Sequence, residues 1–128
     1  MGSQASHISQ AKHNESLATR LNDGMMEYKD WILITLFYSA VHYVESVRAT
    51  KGDHSANHAE RSNFIRDSYK SNRNFRNAYK SLKDGAWEAR YLHDDVSRTD
   101  CAKDYYDESD VHGLLADLAF VKTILKVS

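Results

Sequence analysis

At 128 residues, with 41% hydrophobic and 27% charged positions, the chain is long enough for one domain with a real core and short of what two domains need. It has no proline and only five glycines, so nothing forbids long helices, and a single cysteine, Cys101, excludes an intramolecular disulfide framework and fits a reducing cytosol. A formal net charge of −1 excludes a uniformly basic or acidic protein, but not segregation of charge along the chain.

The spacing predicts a first helix over about residues 7–27, with Ile8, Ala11, Leu17, Leu21 and Met25 on its apolar side. The polar stretch before it has no apolar signal core, and residues 1–6 are expected to be disordered; the reading is one cytoplasmic domain over 1–128. The second helix, 31–50, is the most informative segment. Asp30 is placed to cap it, residues 31–47 run almost continuously apolar, and Lys51-Gly52 ends it. A helix apolar on most sides belongs at the centre of a bundle. His42 and Glu45 would be costly in a bilayer, so a membrane span is excluded in favour of a core helix. Thr35, Ser39, His42 and Ser46, flanked by Tyr38 and Glu45, recur at three- and four-residue steps and so form one polar stripe.

A third helix is expected to begin near Ala56, carrying His58, Arg61, Phe64, Ile65 and Tyr69. After a break at Ser71-Asn72, a fourth carries Phe75, Tyr79, Leu82, Ala86 and Ala89 to an end near Leu92 or His93, with a kink at Gly85. Residues 94–108 read as one acidic loop in which Tyr105 and Tyr106 anchor to the core. Ser109 then caps a last helix with Val111, Leu114, Leu115, Leu118, Val121 and Leu125 on its core face. The chain is therefore all-α, an antiparallel up-and-down bundle of four to five helices.

Charge is unevenly placed. Residues 48–83 hold nine basic side chains against three acids, a local net of +6, interleaved with Phe64, Tyr69, Phe75 and Tyr79; residues 84–110 hold nine acids against three bases, a net of −6. Basic residues alternating with aromatics suit a phosphate backbone and unstacked bases. Arginine forks at 61, 66, 73, 76 and 90, with His42, are the candidate nucleic-acid contacts. His58, Arg61 and His54 are the candidate catalytic group. His42 reads either as a general base or as a core histidine whose tautomer Tyr38 or Glu45 fixes.

No metal is expected, because His54 and His58 are only half of a zinc site and no third ligand is specified by spacing; no glycine-rich phosphate loop or other cofactor signature occurs. A bundle with three histidines would be similar to the DinB-like metal-binding fold, which stands as a minor alternative.

The segments YKDWILITLFYSAVHYVES and GDHSANHAER, with Glu88-Ala89-Arg90-Tyr91 farther on, resemble the small stand-alone members of the HEPN superfamily. The resemblance implies a helical bundle, usually a homodimer, that binds RNA or nucleotides. Some members are metal-independent endoribonucleases of toxin–antitoxin or phage-defence systems. A non-catalytic interaction module, pairing with a nucleotidyltransferase-like partner, is the alternative. Ribonuclease members carry an arginine and a histidine with four to six residues between them. Here Arg73-Asn74 has no histidine in range, and the single fit, Arg48 to His54, spans a helix end and a loop.

Overall fold

The computed structural model describes residues 2–22, 27–91 and 106–127. The expected end of the fourth helix at Leu92 or His93, most of the expected acidic loop, Gly24, Met25, Cys101 and Tyr105 lie outside the described residues. The described chain is an all-α bundle of five helices: α1 (Gln4–Leu21), α2 (Lys29–Thr50), α3 (His58–Ser68), α4 (Arg73–Tyr91) and α5 (Glu108–Leu125).

As its composition demands, α2 is the central element. Ile32, Leu33, Leu36, Phe37, Ala40, Tyr43 and Val44 are all buried, and α1, α4 and α5 pack around them. Its pairings with α1 run His7 to His42 and Ala11 to Ser39, so these two helices are antiparallel, while from α4 Arg90 meets Tyr38 and Tyr79 meets Phe37. Each large side chain so enclosed contributes about 1.5–3 kcal/mol. One chain thereby encloses most of the apolar surface of α2. Trp31, 55% exposed, is the exception on that helix.

Several local expectations are corrected. Asp30 lies inside the first turn of α2 and the cap position is Tyr28, which makes no side-chain capping bond. At α5 the cap is Asp107, not Ser109. Its carboxylate accepts from the Asp110 N–H while the Asp110 carboxylate accepts from the Asp107 N–H, a reciprocal box that satisfies two terminal donors. Leu17, placed on the apolar side by spacing, is 42% exposed; α1 instead buries His7, Ala11 and Ala18. α4 stays helical through Gly85. The glycine serves a close approach, since a Cβ there would lie 2.8 Å from Leu114 Cδ1 of α5.

Candidate functional site

The C-terminus of α2 turns back on itself, and that turn builds the site. Gly52 adopts φ +73°, the Gly52 N–H donates to the Ala49 carbonyl, and the Asp53 N–H reaches back to the Arg48 carbonyl. This double closure needs a left-handed residue, which glycine supplies without strain. The following residues fold over the helix end. Ser55 Oγ accepts from Arg48 Nη1 at 2.7 Å, and the Ser55 N–H donates to Glu45 Oε2 at 3.2 Å. Asn57 then caps α3 through the Glu60 N–H, which sets Arg61 on the first inward-facing turn.

Glu45 is the hub. Its side chain is 3% exposed, and it accepts from Arg61 Nε at 2.8 Å, while His54 Nδ1 stands 3.7 Å from Oε2. Burial alone would raise the Glu45 carboxyl, but the hydrogen bonds from Ser55 and Arg61 and the guanidinium charge outweigh it and hold the group below its usual range. Arg61 Nη1 continues the chain to His58 Nδ1 at 2.9 Å. Burial, and then the positive charges of Arg61, Lys83 and Arg90, push the His58 imidazole below its usual value, so it is neutral at neutral pH. Tyr79 lies beside the pair, and burial pushes its hydroxyl up to about 12 despite the neighbouring Arg61.

A second polar layer joins α1 to α2. His7 Nδ1 and His42 Nδ1 are 3.1 Å apart with stacked rings, and the His54 ring stacks on His7 from the loop side. Burial lowers both His7 and His42, and their mutual repulsion lowers His42 further. The hydrogen-bond partner of His42 is thus His7 rather than Glu45, which is committed to Arg61, or Tyr38, which accepts from Arg90 Nη1 at 2.6 Å. The rest of the α2 stripe is structural. Ser39 Oγ donates to the Ala11 carbonyl, while Ser46 and Thr35 bond within their own helix.

The catalytic trio of the sequence, His54, His58 and Arg61, does come together, but around Glu45. Arg61 is buried, with Nε on Glu45 and Nη1 on His58, which turns it to the core rather than to a ligand phosphate. Of the candidate nucleic-acid contacts, Arg90 stands on a cleft and His42 is turned inward to His7. Arg66 is exposed and paired with Asp67, Arg73 is exposed at the start of α4, and Arg76 Nη2 donates to the Lys70 carbonyl. Among the described residues no group of three or more His, Cys, Asp or Glu could hold a metal ion, so the DinB-like alternative has no ligand set there. None of the described helices is long and apolar enough to cross a membrane.

Two adjoining clefts open on α4. One, of about 340 Å³, is lined by Phe37, Tyr38, His58, Lys83, Ala86, Trp87, Arg90 and Tyr91. The other, of about 290 Å³, is lined by Ser62, Ile65, Arg66, Arg76, Tyr79, Lys80, Lys83 and Asp84. Lys83 lines both, so the two clefts adjoin at that side chain and together are the α4 groove. Along α4 the residues Arg73, Arg76, Lys80, Lys83, Trp87 and Arg90 fall at steps of three and four, hence on one face of the helix. Spanning 17 residues at 1.5 Å each, the stripe is about 26 Å long. Trp87 is 64% exposed, its ring 4.5 Å from that of Tyr91, and the Arg90 guanidinium sits 5.1 Å from the Tyr91 ring. Lys83 and Trp87 were legible as stripe members in the sequence, by stepping along α4 in threes and fours, and were not selected there.

Fold and site together define an all-α bundle in which a buried Glu45–Arg61 pair reaches the exposed His58 on the wall of a basic, aromatic-ended groove. Compared with known proteins, the chain matches no family model, no curated protein and no solved structure.

Proposed function

We propose that this chain is a HEPN-like module that binds single-stranded RNA along the α4 groove and does not cleave it. The observation that carries the reading is the stripe itself: five cations on one helix face, ending in the exposed Trp87–Tyr91 pair. A row of cations tracks a phosphate backbone, and an exposed aromatic platform takes a base by stacking, an interaction worth about 1–3 kcal/mol per base. The resemblance read from the sequence points the same way. It also implies a homodimer.

Binding rather than cleavage is favoured because Arg61, the arginine nearest a ligand-facing histidine, is spent on Glu45 and His58. The test is a titration of labelled single-stranded RNA in the presence of a chelator, with cleavage assayed in parallel. Trp87→Ala and Lys83→Ala should each weaken binding by about tenfold, as loss of one stacked base or one phosphate contact would. Lys12→Ala, on the exposed side of α1, should leave it unchanged. Equal affinity of all three variants would remove the groove from the account, and chelator-resistant cleavage would overturn the non-catalytic reading.

A further inference from the structure

We infer that Glu45 and Arg61 are positioning residues that hold His58 as an obligate hydrogen-bond donor at Nε2, so that the groove takes a phosphate oxygen there and has no general base at that place. The inference rests on the phosphate-binding reading of the groove for its ligand, and on geometry alone for the state of the histidine.

Arginine has only donors to offer, and its guanidinium stays protonated in proteins. With Arg61 Nη1 at 2.9 Å, His58 Nδ1 must therefore be the acceptor, and a neutral imidazole then carries its proton on Nε2. Arg61 cannot turn away, because its Nε donates to the buried Glu45 carboxylate at 2.8 Å and Glu45 is itself held by the Ser55 N–H. The chain Ser55–Glu45–Arg61–His58 thus runs from the loop through the core to the groove wall. His58 lines the cleft beside Lys83 and Arg90, and the ring nitrogen left for a ligand is Nε2.

For His58 to accept a 2′-hydroxyl proton at Nε2 in its neutral form, the ring proton would have to move to Nδ1. That would set an N–H against the Arg61 N–H and replace a hydrogen bond by a donor–donor contact. Donation has no such obstacle. A phosphate oxygen can accept from His58 Nε2–H, with Lys83 and Arg90 supplying the charge.

The experiment has two arms. Long-range proton–nitrogen NMR on the ligand-free wild type at pH 7.5 should show His58 as a single Nε2–H tautomer. Arg61→Lys, whose ammonium lacks the fork that spans Glu45 and His58, should give a mixture of tautomers, with the amide spectrum confirming the fold. In the second arm a single-stranded RNA oligonucleotide is titrated against His58→Gln, which keeps an N–H donor but cannot act as a base, and against His58→Ala. The glutamine variant should bind within about threefold of wild type and the alanine variant about tenfold more weakly. An Nδ1–H or mixed wild-type tautomer, or a lock that survives in Arg61→Lys, overturns the positioning role whatever RNA does. Glutamine binding as weakly as alanine overturns the donor role. A locked tautomer in a protein that binds no RNA sinks the nucleic-acid reading and leaves the positioning intact.

Discussion

Replacing Glu45 by alanine would strike the centre of the structure. The substitution strands the Arg61 guanidinium, whose side chain is 9% exposed, and leaves the Ser55 N–H without its acceptor. Breaking a buried ion pair from one side costs about 3–5 kcal/mol, chiefly because the surviving charge is uncompensated. At about 2.1 cal/mol/K of unfolding entropy per residue, a chain of this length has roughly 0.27 kcal/mol/K, so a loss of about 4 kcal/mol lowers Tm by about 15 °C. Arg61→Ala should cost a similar amount, since it leaves the carboxylate buried instead. The double variant Glu45→Leu with Arg61→Met should recover most of the loss, because an apolar pair of similar volume needs no desolvation of charge. Thermal and urea unfolding followed by circular dichroism would measure all three. Single variants that lose less than about 1 kcal/mol, or a double variant that loses the sum of the singles, would refute the view of a tightly coupled buried pair.

Two further predictions concern stability. His7, His42 and His58 all sit below 6.5 in the folded chain, so the unfolded chain takes up protons first as pH falls. Stability should therefore be full above about pH 7 and decline as the pH drops through the mid-sixes, with the Glu45 contribution, present above 4.5, lost last as that carboxylate protonates. Urea unfolding at pH 7.5 and 5.5 checks this, and greater stability at 5.5 would contradict it. Gly113→Ala, where an added Cβ meets nothing within 4 Å in the middle of α5, should stabilise by about 0.8–1 kcal/mol, whereas Gly52→Ala, at φ +73°, should destabilise by about 1–2 kcal/mol; matched chemical denaturation of the two decides.

Much of the fold was legible because it depends on periodicity, and periodicity survives in a single sequence. The apolar run of α2 announced its central position, and the three- and four-residue steps of α4 and α5 announced their faces. Caps were less legible, since Asp30 and Ser109 have cap chemistry but α2 begins two residues early and the Asp107–Asp110 pair forms a reciprocal box. The site was legible as a neighbourhood: the His54, His58 and Arg61 triplet does meet the α2 stripe. Its roles were not, because which partner a buried arginine takes depends on tertiary packing. Glu45, one turn beyond His42 on α2, absorbs Arg61 and leaves the groove to Lys83, Arg90 and Trp87. His7 was missed outright, because a histidine on a polar N-terminal helix gives no sign that a second histidine waits 35 residues on.

The central claim, that the α4 groove binds single-stranded RNA through phosphates, is tested most directly by the salt dependence of wild-type binding. Three to five phosphate contacts on a single strand predict a slope of log affinity against log salt of about −2 to −3.5, or about 20- to 100-fold weaker binding at 200 mM than at 50 mM. A slope near zero, or no binding up to roughly 100 µM at the lower salt, the weak end of non-specific affinity, would contradict it.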